Sequence, residues 1–476
     1  MSLTPHQQAA LDRLNTFLGD DCATMATLEG YAGVGKTFLM GEFLRLAKAA
    51  HSVCVAAPTH KALKVICSAL EASGSEISAI VDDEPDDLSG GMFAVYQRKQ
   101  SKKGLYAATV HSLLALRLTE LENGETECKP DPSRLPSLSE YDLVVIDESS
   151  LISKRMLEMI ITHKKAAKVL FIGDPAQLPP IEDKNAISPV FTHIDNKISL
   201  TEVVRQAADN PIIKVSMAIR QAVYKFSPQD FMAHLPPLPA SAACLNGSAQ
   251  MLIDFAASEQ LDGRDARVLC YRNNTVSHIN QSVHERLHPG TLYAEGEKLL
   301  CYFCSGNGPG EKSPFLTASG SEYKARLMDE FTVVSAREDR DQFGVSVMML
   351  ALETEIGSIV NTQVPIDRQS YQREINAIWN EYRSVNTAHE LEKDHSAKNQ
   401  LKDKKKSLSR KAYAMRNKYP DLRHAYAMTV HRSQGSTFDT ALVHYADINT
   451  MRSSFEFNRA LYVACTRPRQ YLAVVV

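Results

Sequence analysis

The sequence of 476 residues has no long apolar run and no cysteine framework. No apolar stretch approaches the roughly 20 residues that a helix needs to cross a bilayer, so we expect no membrane span and no membrane partner. The opening residues, MSLTPHQQAALDRL, lack the basic and apolar blocks of a signal peptide. The nine cysteines follow no regular spacing, and Cys301 and Cys304 form a lone CxxC pair without the second pair of a zinc site. These absences predict a cytoplasmic protein of a reducing compartment.

The sequence also has almost no excess of charge. Its formal net charge is only −3, so any contact with nucleic acid must come from a local basic channel. Hydrophobic residues make up 44% and charged residues 23%, which is ordinary for a globular protein. Because single hydrophobic cores stop growing at about 250–300 residues, we expect more than one domain.

Short β-prone runs alternate with helical periods through the first 205 residues. This alternation predicts a parallel sheet that is covered by helices on both faces. A second set of runs appears later, so the sequence predicts two α/β cores, the second interrupted by a long insertion. The first set comprises residues 26–28, 53–56, 143–146, 169–172 and 198–200, and the second comprises residues 267–271, 441–445, 461–464 and 471–476.

Three other segments differ from this pattern. Residues 74–108 carry an acidic cluster, a Gly-Gly pair and a basic cluster, which indicate an exposed and partly mobile loop. Residues 116–129 alternate around Asn123-Gly124, a strong signal for a β-hairpin. Residues 371–418 have the spacing of two helices, which we expect to be antiparallel and to project from the body.

The clearest motif begins after the first predicted strand. The segment from Gly30 to Thr37 matches G-x-x-x-x-G-K-[ST] and leads into a helical run, the context that a P-loop requires. Backbone N–H groups of such a loop surround the phosphates of a nucleotide. Lys36 is expected to reach the β- and γ-phosphates of ATP, and Thr37 to hold Mg²⁺. The predicted nucleotide-binding residues of the loop are Gly30, Ala32, Gly33, Val34, Gly35, Lys36, Thr37 and Phe38.

Two further strands end in polar residues that suit phosphoryl transfer. Asp147 follows an apolar strand at the edge where the P-loop lies and is predicted to coordinate Mg²⁺. Glu148 is adjacent and suited to polarise the attacking water. The next strand leads to Gln177, which can contact the γ-phosphate. The motifs therefore predict an ATP hydrolase.

The ordered motifs resemble those of superfamily 1 helicases. GYAGVGKT, VVIDESS, IGDPAQLPP, TVHRSQG and YVACTR occur in the order of that family. The segments at residues 57–62 and 109–112 are similar to DNA-contacting motifs of the 1B branch, within which the chain is most similar to Dda-type helicases of T-even phages and also resembles RecD-type helicases. The similarity is weakest across residues 74–108 and 289–420.

This resemblance implies roles at matching positions. Gln7 is expected to read the adenine edge, and Gly435 to lie near the nucleotide. Arg205 and Arg467 are implied to touch the γ-phosphate, where a guanidinium neutralises developing charge. The residues implied to contact the DNA backbone are Pro58, Thr59, His60, His111, Thr429 and His431.

The resemblance also implies a domain plan. Residues 1–205 would form a RecA-like domain, with a strand-separating pin at residues 116–130 inserted into it. Residues 206–289 and 420–476 would form the second RecA-like domain. Residues 290–419 would be an SH3-like β domain that carries a helical tower at about 367–418. The fold class expected is thus α/β, with two parallel-sheet P-loop domains and an added β domain.

The function expected is an ATP-dependent 5′-to-3′ helicase that moves on single-stranded DNA and unwinds fork duplexes in replication, recombination or repair. The polarity follows from the resemblance alone. A monomer is expected to suffice, located at the nucleoid of a bacterial host, with replication or recombination proteins such as a single-strand-binding protein as possible partners. Two alternatives stay open: a regulatory or loading subunit that does not unwind DNA, and an RNA-remodelling enzyme.

Overall fold

The chain folds into two compact units. One contains Met1–Arg117, Cys128–Ile279 and Ala427–Val476, and the other contains Leu118–Glu127 and Asn280–Tyr426. The computed structural model describes residues 3–31, 33–80, 103–120, 126–132, 134–180, 182–183, 186–202, 211–223, 242–245, 247–304, 312–341 and 344–476.

The first unit begins with a seven-stranded parallel sheet in the strand order β3-β4-β2-β7-β8-β1-β9. Its inner strands are almost wholly buried, as expected for a parallel sheet with helices on both faces, whereas the two edge strands are partly exposed. The strands are β1 (Met25–Gly30), β2 (Ser52–Ala57), β3 (Ala79–Ile80), β4 (Gly104–Thr109), β7 (Leu143–Ile146), β8 (Lys168–Gly173) and β9 (Lys197–Leu200). Between β4 and β7 in the chain, β5 (Leu116–Glu120) and β6 (Thr126–Pro130) form a separate two-stranded sheet, of which residues Leu118–Glu127 belong to the second unit. The helices are α1 (Pro5–Gly19), α2 (Lys36–Ala47), α3 (His60–Ala72), α4 (Val110–Leu113), α5 (Lys154–Lys164) and α6 (Val190–His193).

A second parallel sheet completes this unit, in the order β10-β20-β19-β11-β18. Its strands are β10 (Ala242–Leu245), β11 (Ala266–Cys270), β18 (Ala427–Thr429), β19 (Phe438–His444) and β20 (Pro468–Val475). Its helices are α7 (Pro211–Ala222), α8 (Ala249–Leu261), α9 (Asn273–Leu287, which runs on into the second unit), α12 (Tyr445–Ile448) and α13 (Ser454–Cys465).

The second unit contains an antiparallel six-stranded sheet and a helical pair. The strand order is β13-β16-β15-β14-β12-β17. Aromatic and aliphatic side chains, including Ile375, Trp379 and Tyr382, pack between the two long helices. The strands are β12 (Lys298–Phe303), β13 (Leu316–Thr317), β14 (Glu330–Arg340), β15 (Ser346–Thr354), β16 (Ile359–Pro365) and β17 (Asp421–His424), and the helices are α10 (Arg368–Leu391) and α11 (His395–Lys418).

This architecture confirms the expected fold class, because two parallel α/β sheets and an added antiparallel sheet are all present. Two local predictions were wrong. Residues 461–464 lie in α13 and not in a strand; the helix is buried on every side from Phe457 to Cys465, so its sequence has the continuous apolar run of an inner strand. Gly104–Thr109 is a strand inside the first sheet and not part of a loop, whereas residues 81–102 lie outside the described residues.

Among the described helices, none combines the length and the apolar character that crossing a bilayer requires. The lone CxxC pair lies at the end of β12. Cys301 is buried in the strand, and the thiol of Cys304 donates to the carbonyl oxygen of Ala325 at 2.6 Å.

Candidate ATPase site

The P-loop has a backbone that only glycine permits at three positions. A Cβ on Gly30 would lie 2.8 Å from Cγ2 of Val34 and 3.1 Å from the carbonyl oxygen of Leu200. Gly33 and Gly35 have φ angles of 85° and 79°, in the left-handed region. Gly35 then caps α2, so the loop leads directly into a helix N-terminus. The loop thus has the glycine-dependent backbone and the helix N-terminus that a phosphate cradle requires, and phosphate binding there stays a prediction. Ala32 alone of the loop lies outside the described residues.

Lys36 begins α2 and folds back over this loop. Its Nζ donates to the carbonyl oxygens of Gly30 at 2.6 Å and Tyr31 at 3.1 Å. Thr37 and Phe38 follow in the first turn of the helix, and Val34 is fully buried. The ammonium group is thus held at the mouth of the loop, where the phosphates of a nucleotide are expected.

Asp147 and Glu148 leave β7 at the same edge of the sheet. Burial, and after it the charge of Glu148, raise the pKa of Asp147 to about 7, although the backbone N–H of Glu148 and the charge of Lys36 both act to lower it. Glu148 has φ 51° and ψ 39°, an unusual conformation for a residue with a side chain. Its N–H donates to Oδ1 of Asp147 at 2.8 Å. The two carboxyl groups and Lys36 form one electrostatic cluster.

This donor set fits Mg²⁺. The hydroxyl of Thr37 and the carboxylate of Asp147 are hard oxygen ligands of the kind that this ion prefers. A half-buried carboxyl group whose pKa is raised by burial and by a second carboxylate is also one that a cation would hold in its ionised form.

Gln177 lies after β8, beside the same edge. It is half-buried, and its Oε1 is buried without a hydrogen-bond partner among the described residues. Because an amide oxygen accepts a hydrogen bond, this atom is suited to a water or hydroxyl donor. Gln177 therefore presents an unused acceptor at the predicted γ-phosphate position.

Arg467 comes from the second sheet, just before β20, and is 6% exposed. Its guanidinium donates to the carbonyl oxygens of Val463 and Ser436 at 3.1 and 3.3 Å. Burial lowers its pKa, while the charge of Glu148 opposes that effect. A carboxylate of the first sheet and an arginine of the second therefore act on each other, and Arg205 lies outside the described residues.

Gln7 is 3% exposed and connects α1 to the P-loop. Its Nε2 donates to the carbonyl oxygen of Val34 at 3.1 Å, and its Oε1 accepts from the N–H of Thr4. With the Thr4 hydroxyl accepting from the N–H of Gln7, these contacts form a capping box. Contact with adenine stays a prediction for this residue.

Two predicted DNA-contacting segments leave neighbouring strands of the first sheet. Ala57 at the end of β2 is paired with Thr109 at the end of β4, so the residues that follow begin side by side. Pro58 is buried, whereas Thr59 is exposed and caps α3 by accepting from the N–H of Ala62 at 3.2 Å. His60 and His111 stand in the first turns of α3 and α4 and are half-buried.

The other predicted DNA-contacting residues follow β18 in the second sheet. Thr429 is buried, and Nε2 of His431 lies 3.3 Å from the carboxylate of Glu456. Gly435 has φ 74° and packs so closely on α3 that a Cβ there would lie 3.2 Å from Cβ of Ala62. The segment after β18 is therefore in close contact with α3, which follows the segment after β2.

The two sheets are joined by a residue to which the sequence motifs assigned no role. Asp174, just after β8, is completely buried, and its Oδ2 accepts from the hydroxyl of Tyr462 in α13 at 2.6 Å. Oδ1 accepts from Nη2 of Arg220 in α7 and from the N–H of Ala176, each at 3.0 Å. The side chain of Arg220 also lies over the ring of Tyr31 in the P-loop. One carboxylate therefore links the P-loop side of the protein to the helix that precedes Arg467.

A second buried polar cluster lies in the other unit. Oε1 of Glu297 lies 2.8 Å from Nδ1 of His284 and 2.6 Å from Nδ1 of His424. These three groups are close enough to hold a metal ion. The two imidazole rings, however, are stacked with planes only 17° apart, so no nearby ion can lie in both ring planes. We interpret the cluster as a carboxylate between two histidines.

The chain is similar to several known proteins. An uncharacterized protein of Acanthamoeba polyphaga mimivirus is 28% identical over 211 residues, which are 42% of this chain and 38% of that protein. The ATP-dependent RecD2 DNA helicase of Deinococcus radiodurans is 34% identical over 114 residues, which are 24% of this chain and 14% of that protein. The chain thus spans well under half the length of these curated relatives.

Among solved structures, similarity extends over the whole chain. The Pif1 helicase of Bacteroides bound to single-stranded DNA is 16% identical with a TM-score of 0.48, and 92% of that chain is covered. The Pif1 helicase of Candida albicans is 15% identical with a TM-score of 0.41, and 95% of that chain is covered.

Two family models match separate parts of the chain. Residues 2–226 match an AAA domain, and residues 424–475 match a UvrD-like helicase C-terminal domain. The first match contains the P-loop, Asp147 and Gln177, and the second contains Thr429 and Arg467. The matches confirm the resemblance to helicases that the motifs indicated, while particular closeness to Dda-type helicases stays a prediction.

Proposed function

We propose that this chain is an ATP-dependent DNA helicase that moves 5′ to 3′ on single-stranded DNA and unwinds duplex DNA. One observation carries the proposal: the candidate ATP site is built from both sheets. Lys36, Asp147 and Glu148 belong to the first sheet, whereas Arg467 belongs to the second and is buried within electrostatic reach of Glu148. An ATP site shared between two modules makes hydrolysis depend on their arrangement.

The proposed chemistry assigns one role to each side chain. Lys36 would bind the β- and γ-phosphates of ATP, and Thr37 and Asp147 would hold Mg²⁺, which would neutralise phosphate charge when bound. Glu148 would accept a proton from the attacking water, and the free Oε1 of Gln177 would orient that water. Arg467 would neutralise charge on the transferred phosphoryl group.

The nucleic-acid site would lie where the segments after β2, β4 and β18 come together. Thr59, His60, His111 and Thr429 offer hydroxyl and imidazole groups, which bind phosphates without reading sequence. Since Gly435 packs against Ala62, a change in the arrangement of the two sheets would move one half of this surface against the other. The choice of DNA over RNA is supported by the curated DNA helicase of Deinococcus radiodurans.

An unwinding assay on matched substrates tests the proposal. We expect unwinding of a duplex with a 5′ single-stranded DNA tail, and none with a 3′ tail or with an all-RNA duplex. The Lys36→Ala variant is the control, because it removes the charge that acts on phosphate and should abolish ATP hydrolysis while DNA binding remains. DNA-stimulated ATP hydrolysis without unwinding of any duplex would identify a non-unwinding subunit instead.

A further inference from the structure

The helix α11 carries an unusual concentration of positive charge. It contains nine Lys and Arg residues and one acidic residue, Asp403, whereas the whole chain has a net charge of −3. The neighbouring helix α10 has three basic and three acidic residues. The charge of α11 is therefore not balanced by the helix on which it packs.

Four of these residues form a row along the helix, which we call the basic stripe: Lys398, Lys402, Lys406 and Arg410. They are four residues apart, so they are neighbours on one ridge that is about 18 Å long at 1.5 Å per residue. Lys402, Lys406 and Arg410 are exposed, and Lys398 is half-exposed.

Other cations of α11 have partners within the protein. Lys404 pairs with Glu381, Lys405 donates to Asn386, and Lys418 pairs with Asp341. In the part of the chain that the structure describes, no acidic side chain pairs with the stripe. Like charges at i,i+4 destabilise a helix, so the stripe opposes folding of α11. An external anion that binds the basic stripe would offset this repulsion.

We propose, resting on the function proposed above, that the basic stripe binds the phosphate backbone of double-stranded DNA. A duplex carries one negative charge per ~1.7 Å of its axis, so a rigid row of ~18 Å can face several phosphates at once. A single strand is gripped differently, since its bases stack on exposed aromatic rings. Trp379 and Tyr382 are buried between α10 and α11, and Tyr413 of α11 packs edge-on against Trp379, so the duplex is the form of DNA that fits.

The test measures binding of a short blunt-ended duplex to the full chain over a range of salt concentrations. The stripe variant is Lys402→Ala/Lys406→Ala/Arg410→Ala. Its matched control, Arg373→Ala/Arg383→Ala/Lys404→Ala, removes three exposed charges from the same helical pair outside the stripe. Losing three phosphate contacts should reduce the slope of log K against log salt by about 2.7 and lower the affinity on the order of 10²-fold at 0.1 M salt.

The control variant should bind the duplex like the wild type. The stripe variant should unfold at the same or a higher temperature, because like-charge repulsion is removed. Unchanged duplex affinity, or equal losses in both variants, would overturn the proposal. If poly-glutamate binds as tightly as the duplex and the stripe variant loses that binding, the stripe is assigned to an acidic protein instead. Single-strand-stimulated ATP hydrolysis should be unaffected, and its absence from the wild type would refute the proposed function separately.

Discussion

The contact between Tyr462 and Asp174 allows the coupling of the two sheets to be tested with the loss of one oxygen atom. The Tyr462→Phe variant keeps the ring, which is 1% exposed, and removes the hydroxyl that donates to Asp174 at 2.6 Å. Asp174 keeps its contacts with Arg220 and the N–H of Ala176. The variant therefore weakens the junction without removing a group from the ATP site.

The expected magnitude follows from the character of this hydrogen bond. Its acceptor is a carboxylate with no exposed surface, and a hydrogen bond to a charged group contributes about 1.5–3 kcal/mol. Since every 1.4 kcal/mol is about a factor of ten, the equilibrium constant for the arrangement in which the two sheets meet at Asp174 should fall roughly 10- to 100-fold. If hydrolysis requires that arrangement, kcat should fall by up to the same factor, whereas KM for ATP should change little.

The assay is steady-state ATP hydrolysis at saturating single-stranded DNA, together with thermal unfolding. The Tyr445→Phe variant is the control, because its ring is also buried near α13 but packs on Phe457 rather than on Asp174. If the hydroxyl of Tyr462 had only a structural role, both variants would unfold at a lower temperature. The loss of kcat would then match the loss of folded protein. A kcat for Tyr462→Phe within about twofold of wild type would refute the coupling role.

Three further predictions concern other parts of the chain. Arg467→Ala should bind ATP yet hydrolyse it on the order of 10³-fold more slowly, and an unchanged kcat in single-turnover measurements would exclude the role given to this arginine. Deleting residues 120–127 of the hairpin and closing it with a short turn should remove unwinding while translocation and DNA-stimulated hydrolysis persist; normal unwinding would show that there is no pin. Burial raises the pKa of Glu297, but the imidazoles of His284 and His424 at its carboxylate outweigh this effect and hold the pKa at about 2, below the ordinary 4.5. Burial lowers the pKa of His284, but Glu297, the carbonyl oxygen of Thr291 and Glu285 together raise it above 6.5. The cluster therefore stabilises fully between about pH 4.5 and 6.5 and less at either side, so Glu297→Gln should lower the calorimetric unfolding temperature most at pH 5–6, and a pH-independent difference would contradict this assignment.

Much of the candidate site could be predicted because its residues are contiguous. The P-loop and the Asp147-Glu148 pair each combine an apolar strand with a fixed polar sequence, and parallel strands bring both to one edge of the sheet. The prediction of a strand at residues 461–464 was wrong because its local pattern was ambiguous. Periodicity cannot distinguish a short buried strand from a helix that is buried on all sides.

Contacts between distant residues could not be predicted from one sequence. Asp174 and Tyr462 are 288 residues apart. Each lies in a recognisable motif, but neither motif indicates that the two residues are in contact. Likewise, nothing in the spacing of His284, Glu297 and His424 indicates that β12 and β17 bring them together with α9. In both cases the information lies in the pairing of elements and not in the local pattern.

The position of Tyr462 and Arg467 suggests how the chemistry and the arrangement of the sheets are linked. Tyr462 lies in the last turn of α13, and Arg467 follows the helix by two residues and donates back to the carbonyl oxygen of Val463. A displacement of this helix end would therefore both move the arginine that we propose acts on the γ-phosphate and break the hydrogen bond to Asp174. Since Asp174 precedes Gln177 by three residues and accepts from the N–H of Ala176 between them, the same displacement would be transmitted to the residue that we propose orients water. One helix end would thus couple both proposed catalytic contacts to the junction between the sheets, which is the physical requirement for hydrolysis that depends on domain arrangement.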